Sequence, residues 1–328
     1  MNSHIFGPVP SRRLGRSLGI DLVPFKTCTY DCIYCQLGRT TCKTLERKEW
    51  VPLDLVVDEV QKKLDSRPDY ITLSGSGEPT LFSRIDELVD RIKQMTTIPV
   101  AVLTNGSLLG DKDLQRQLSK VDLVIPSLDA GDDALFRLVN RPHESLSFER
   151  VLAGLVSFRR RFTGQYWLEV FLVAAYTAFE AELAALHRCV DLIKPDRVQL
   201  NTVTRPPAES YANPISRDRL EKIATGFSPP AETIADFRGG LSAATSGADS
   251  EQILALLRRR PCSVEDIASG LNIAPPEAAK HMESLCAEGS AEPCWTGASL
   301  CYRAVPSPAP LLRHHEPQNG RERDESKQ

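Results

Sequence analysis

The segment LGIDLVPFKTCTYDCIYCQLG, residues 18–38, sets an apolar run directly before three closely spaced thiols. LGIDLV (18–23) reads as a strand and KTCTYDCIYCQLG (26–38) as the loop that follows it. Cys28, Cys32 and Cys35 fall in the spacing C-x3-C-x2-C. In parallel α/β folds the chemistry gathers at the C-terminal ends of the strands, and this loop begins at such an end.

Further apolar runs follow at YITLS (70–74), VAVLT (100–104), DLVIPSL (122–128), WLEVFLV (167–173) and RVQL (197–200). Between them lie amphipathic stretches such as DLVVDEVQKKL (54–64), RIDELVDRIKQM (84–95) and ELAALHRCVDLI (182–193), with apolar residues at three- and four-residue steps. Strands alternating with helices require right-handed crossovers and a parallel sheet. Six such units predict an α/β fold with a partial (β/α)6 TIM-like barrel, too few for a closed eight-fold barrel.

The chain has 328 residues, 41% apolar and 25% charged, as a core-forming protein does. A net charge of −3 provides no global field toward nucleic acid or anionic lipid, so a bound nucleic acid would need a local basic patch. MNSHIFGPVPSRRLGRS at the start has no apolar stretch of signal-peptide length, and no run of about 18 apolar residues occurs. A cytoplasmic protein without a membrane partner is expected. There, nine cysteines are ligands, catalytic groups or small core residues in preference to disulfides.

Composition divides the chain into residues 1–237, the barrel with a basic N-terminal segment, and RGGLSAATSGAD (238–249), a Gly/Ser/Ala linker. Residues 250–305 form a small domain, and the Pro- and charge-rich residues 306–328 read as a disordered tail. Helices at about 251–259, 263–269 and 275–288, then extended pieces from Pro293 to Arg303, predict a winged helix-turn-helix. Five basic residues in it (Arg258, Arg259, Arg260, Lys280, Arg303) face seven acids, Glu251, Glu265, Asp266, Glu277, Glu283, Glu288 and Glu292. That balance argues against tight phosphate binding and sequence-specific DNA reading, and for a docking or substrate-presenting module. Cys262, Cys286, Cys294 and Cys301 lack C-x2-C pairing and fit core packing better than a second metal site.

A structural zinc needs four ligands, so three close cysteines are incomplete. Either a residue such as Cys42 completes a zinc loop, or the fourth position belongs to a group that is not protein. An iron–sulfur cubane held by three thiolates keeps one iron open.

The C-x3-C-x2-C spacing with an aromatic residue, Tyr34, before the third cysteine resembles the signature of the radical S-adenosylmethionine (SAM) superfamily. The resemblance spans about residues 15–225, and further motifs follow in order. SGSGEPT (74–80) is similar to the family's Gly-Gly-Glu-Pro loop, with Ser76 in place of the first glycine. The resemblance implies that Gly75, Ser76, Gly77, Glu78 and Pro79 surround the SAM amino group. Small residues let carbonyls approach it, and the proline fixes the turn. LTNG (103–106), with Asn105, ends the third strand, and PSLDA (126–130) the fourth. Ser127 and Asp129 share a side by strand spacing and are implied to bond the sugar hydroxyls, although Asp129 alone equally suits a helix cap. RVQLNTV (197–203), with Leu200, is similar to the segment that packs on the adenine.

What the resemblance implies is a [4Fe–4S] cluster on Cys28, Cys32 and Cys35, SAM on its open iron, and a one-electron reductant of flavodoxin or ferredoxin type. Cleavage of SAM would give a 5′-deoxyadenosyl radical that abstracts hydrogen from an unactivated carbon. FGPVPSRRLGRSLGIDLVPFKTCTYDCIYCQLG and NRPHESLSFERVLAGL (140–155) are most similar to the wyosine-tRNA synthase-like group, whose characterised members rebuild a guanine in tRNA. Archaeal wyosine enzymes place cysteines for a second cluster upstream, whereas residues 1–27 here contain none, so the substrate stays open. SRRLGRS (11–17) can grip phosphate through Arg12, Arg13 and Arg16, or cover the barrel base, or pair with acids. Three functional classes follow: a tRNA-base enzyme, a radical enzyme for a protein, peptide or small metabolite, and a non-catalytic metal-binding regulator.

Overall fold

Alternation along the strands decides the layering. Leu18, Ile20, Ile71, Leu73, Val102, Val124, Leu168, Val170 and Val198 are fully buried on the side facing the helices. The computed structural model describes residues 3–11, 13–235, 250–271, 273–296 and 299–305. Residues 238–249, residues 306–328 and Arg12, read above as linker, tail and phosphate contact, lie outside the described residues.

The chain opens with an antiparallel pair, β1 (Ile5–Ser11) and β2 (Gly15–Asp21). In the loop after β2, two-residue β3 (Thr27–Cys28) and β4 (Cys42–Lys43) form a small parallel bridge. Then come α1 (Leu53–Lys63), β5 (Tyr70–Ser74), α2 (Ile85–Met95), β6 (Val100–Thr104), α3 (Lys112–Leu118) and β7 (Leu123–Pro126). Helices α4 (Asp133–Val139) and α5 (Phe148–Arg161) precede β8 (Gln165–Leu172), α6 (Glu180–Ile193), β9 (Arg197–Thr202), α7 (Arg217–Ala224) and β10 (Glu232–Thr233). The sheet runs β1-β2-β5-β6-β7-β8-β9-β10, and each pair from β2 to β10 is parallel. This is the expected six-unit partial barrel with one added strand at each edge.

β1 escaped the sequence reading because Gly7, Pro8 and Pro10 make it a poor strand. An edge position tolerates prolines that lack an N–H. Inside the sheet's curve, an apolar plug of Leu14, Ala101, Leu123, Ile125 and Trp167 fills the barrel floor. Above it lies a polar layer: Ser17 Oγ and Thr72 Oγ1 are 2.7 Å apart, and Asn201 Nδ2 donates to Glu169 Oε1 at 2.8 Å. The site therefore opens above the floor, at the C-terminal strand ends.

The C-terminal unit comprises α8 (Ser250–Leu257), α9 (Val264–Leu271), α10 (Pro275–Ala287) and the antiparallel hairpin of β11 (Ala291–Thr296) and β12 (Ser299–Ala304). Its own core holds Ile253, Leu257, Ile267, Ala278, Met282 and Leu285, with Val9 of β1 packed against it. Cys262 and Cys301 are buried there and Cys294 faces Cys301 across the hairpin, while Cys189 is buried on α6. The Arg259 guanidinium pairs with Asp21 at the end of β2 and lies 3.8 Å from the Phe6 ring centroid. Among the described residues no helix is long and apolar enough to cross a membrane.

Leu168, fully buried at the centre of β8, reports on the sheet–helix interface. Leu168→Ala is expected to destabilise the chain by about 2–5 kcal/mol. The check is the shift of the urea unfolding midpoint followed by circular dichroism, and an unchanged midpoint contradicts the packing.

Candidate active site

The thiols are placed by a backbone lock between two loops. Lys26, at φ +59°, turns the chain after β2, and its N–H donates to the carbonyl of Ser76 at 2.6 Å. The Glu78 N–H donates to the Thr27 carbonyl at 3.0 Å. The closeness requires glycine: a Cβ on Gly77 would lie 1.9 Å from the Thr27 oxygen. Gly75 has φ +110°, and its Cβ would meet Asp21 Oδ1 at 1.8 Å. That same oxygen accepts from the Ser76 N–H at 2.7 Å. The small residues of SGSGEPT are thus dictated by loop-on-loop packing.

Each thiol has a nitrogen donor from a side chain. Asn105 Nδ2 approaches Cys28 Sγ at 3.5 Å, Asn140 Nδ2 approaches Cys32 Sγ at 3.5 Å, and the buried Lys26 extends Nζ to Cys35 Sγ at 3.2 Å. Burial pushes the Cys28 thiol up to about 12, and burial with the nearby Asp129 carboxylate holds Cys32 well above the ordinary thiol range. Thiols in this setting become thiolates when a metal supplies positive charge. Among the described residues no three His, Cys, Asp or Glu side chains converge to hold one ion, and Cys42 is exposed. This disfavours a zinc loop completed by Cys42. A cubane sets each thiolate on its own iron, so three separated sulfurs with a donor apiece fit it.

The cysteines open on a cavity of about 450 Å³ that also touches Tyr34, Gly75, Ser76, Gly77, Glu78, Asn105 and Ser127, with Asn201–Arg205 of the β9 end opposite. The structure thus brings together the cysteines, most of the glycine loop, and two of the strand-end residues read from the sequence.

Other expected ligands have different work. Asp129 is buried; its carboxylate accepts from the Tyr34 hydroxyl, from Asn140 Nδ2 at 2.8 Å and from the Phe171 N–H at 3.0 Å. It fixes Tyr34, whose ring stacks on Phe171 at 3.9 Å, and of Ser127 and Asp129 only Ser127 lines the cavity. Glu78 accepts from Thr80 N–H (3.1 Å), the Thr80 and Thr104 hydroxyls (both 2.6 Å) and the Asn105 N–H (2.7 Å), which ties the end of β6 to the loop after β5. Pro79 is buried at the start of a 3-10 turn, Pro79–Leu81. Leu200 faces the helices in the main core, so the expectation that its side chain meets adenine is corrected: strand parity turns Asn201 inward instead. Arg13 does not grip phosphate from the surface. Its Nη1 lies 2.7 Å from Glu169 Oε2 inside the barrel, each side chain little exposed. Arg16 is exposed at the opposite, N-terminal end of β2. Lys26 and Asn140 were missed. Asn140 does head NRPHESL, but nothing in a one-letter pattern says that an amide side chain will reach a sulfur.

Asp129 also gives the site a pH signature, because burial raises its carboxyl from 3.8 to about 6, against the pull of the Tyr34 and Asn140 hydrogen bonds. An acid whose folded pKa exceeds its unfolded value binds its proton more tightly when folded. Its contribution is neutral below pH 3.8 and becomes destabilising as pH rises through the window up to about 6. The full effect is on the order of 3 kcal/mol. In metal-free protein, wild-type unfolding free energy should fall relative to Asp129→Asn as pH rises across that window; parallel pH profiles contradict the assignment.

Comparison with known proteins agrees with this arrangement. Residues 22–186, which include the cysteine loop, the glycine loop and Asp129, match the family model of the Radical SAM superfamily. A UPF0026 protein of Helicobacter pylori (strain J99) is 34% identical over 288 residues, covering 86% of this chain and 91% of that protein. A protein of Brachyspira hyodysenteriae named GTPase Obg is 41% identical over 273 residues, but the aligned part is only 40% of its length. Among solved structures, a radical SAM methyltransferase from Sphaerobacter thermophilus superposes with a TM-score of 0.50 at 16% identity, over 68% of this chain and 67% of that one, a likeness of fold. With the thiols, their donors and the glycine loop in one cavity, the chain belongs to the radical S-adenosylmethionine superfamily, enzymes that work with a [4Fe–4S] cluster and SAM.

Proposed function

We propose that this enzyme binds a [4Fe–4S] cluster through Cys28, Cys32 and Cys35 and cleaves SAM reductively to begin radical chemistry on a second molecule held in the same cavity. The observation that carries this reading is the shared wall: three thiols, each with its own donor, open on the space bounded by Gly75–Glu78 and Ser127. When bound, the reduced cluster supplies one electron that opens a carbon–sulfur bond of SAM and so starts hydrogen abstraction. The chain's own residues do the rest. Asn105, Asn140 and Lys26 stabilise charge on the sulfurs. The edge from Gly75 to Gly77 would receive the SAM amino group, and Ser127 a ribose hydroxyl. Tyr34, held by Asp129 and stacked on Phe171, keeps the third cysteine in place.

A flavodoxin- or ferredoxin-type protein is the proposed electron source, in the cytoplasm. Of the substrate classes, a tRNA base loses the support it drew from Arg13, which is consumed by Glu169. The C-terminal helices and hairpin, read as a winged helix, stand against the barrel mouth and favour a substrate enclosed between the two units.

Anaerobically reconstituted protein is expected to hold about four irons per chain and, once reduced, to release 5′-deoxyadenosine from SAM. Cys32→Ala should lower that release by roughly 100-fold or more, since a ligand of the working metal centre is removed. Liquid chromatography of the nucleoside product is the measurement. Stoichiometric zinc with no iron, or undiminished release from the variant, contradicts the proposal.

A further inference from the structure

The cavity wall is not made by the barrel alone. Leu256, Arg259 and Arg260, at the end of α8 and just beyond it, line the same space as the cysteines. Among the described residues four arginines reach this wall, and three of them have carboxylate partners. Arg13 lies 2.7 Å from Glu169, Arg205 lies 3.3 Å from Asp266, and Arg259 pairs with Asp21. Arg260 is half-buried, and among the described residues no carboxylate lies within ion-pair distance of its guanidinium. The neighbouring charges do not cancel it. Arg205 and Arg260 act on Asp266 together, and burial first and Arg260 second lower the pKa of Arg205, so two cations share one acid. A guanidinium in a cavity wall that shares one acid with a second cation leaves a place for an anion, and its planar fork suits oxyanions.

We propose that Arg260 is the substrate's anion receptor. It would bind a phosphate or carboxylate group of the molecule on which the radical acts, so that the C-terminal unit contributes directly to the substrate site. This rests on the radical SAM reading for the identity of the reaction, but not for the binding of the anion. SAM itself carries a carboxylate. Both units line this one cavity, so the assignment to the second molecule is tested by SAM affinity in the Arg260 variants.

The test uses the full chain, both as isolated and after reconstitution with cluster and SAM, titrated at constant ionic strength with pyrophosphate (phosphorus NMR) and with succinate (calorimetry). At least one anion should bind, the preferred one showing whether the substrate group is phosphate or carboxylate. Arg260→Gln should weaken that binding by about tenfold or more, the size of one hydrogen bond to a charged group. Arg260→Lys, which keeps the charge but not the fork, should fall between the wild type and Arg260→Gln, and SAM affinity should stay within about twofold in both variants. In the wild type, the same anion should slow phenylglyoxal modification of Arg260 as read by peptide mass mapping, a measurement that needs no variant to fold. The proposal is overturned if neither anion binds, if Arg260→Gln binds as the wild type does, if modification is unprotected, or if SAM affinity falls with the substitution. Iron content and SAM binding are read on the same samples. Their absence counts against the radical SAM reading, and the anion titration still decides the role of Arg260.

Discussion

A carbonyl oxygen occupies the space where a side chain on residue 77 would be, and the site depends on it. With Gly77 under Thr27, the cysteine loop and the glycine loop exchange two backbone hydrogen bonds, Lys26 N–H to Ser76 and Glu78 N–H to Thr27. Neither loop has regular structure long enough to hold itself, since β3 and β4 are two residues each. Together they form one rigid rim at the ends of β2 and β5. Three thiols must keep a fixed mutual spacing to hold one polynuclear group, and a rim locked by main-chain bonds keeps it without consuming the side chains.

Buried carboxylates extend the same logic around the barrel. Glu78 joins the ends of β5 and β6, and Asp129 joins the end of β7 to β8 through Phe171 and to the cysteine loop through Tyr34. Each accepts at least three hydrogen bonds, which makes a buried acid tolerable. Burial raises the pKa of both. They are positioning residues whose chemistry is spent inside the protein, while Asn105, Asn140 and Lys26 face the sulfurs.

This division explains what could be read from the sequence. Strand and helix periods revealed the six-unit barrel, because burial on the helix side imposes alternation on every central strand. The cysteines and glycines were legible because their spacing and smallness are themselves the physical requirement. Leu200 and Asp129 were placed in the right segments, yet their roles depended on which way each side chain turns and on what reaches it from elsewhere in the chain. Asp129 is met by Tyr34, 95 residues earlier, and by Asn140, 11 residues later. Arg13 shows the same limit: the basic cluster left phosphate contact, cover for the barrel base and pairing with acids open, and only the fold sets Arg13 against Glu169, the last of the three. β1 was hidden because an edge strand can be built from residues that no central strand would accept.

The C-terminal unit is tied to this rim by charge. One oxygen of Asp21 accepts from the Ser76 N–H of the glycine loop, and the other pairs with Arg259. Arg205 makes a parallel link, with Nη1 on Gln36, the residue after Cys35, at 3.0 Å and Nη2 on Asp266 of α9 at 3.3 Å. Each link runs from a loop beside the thiols to the C-terminal unit through a single side chain. Asp21 is buried with Arg259 in place, so removing the Arg259 charge alone would leave its carboxylate without a cation, a loss on the order of 3–5 kcal/mol for a broken buried pair. A module that merely tethered a partner could be attached anywhere on the barrel. One whose docking charges terminate on the glycine loop and on the residue beside the third cysteine belongs to the site, and its position constrains both loops.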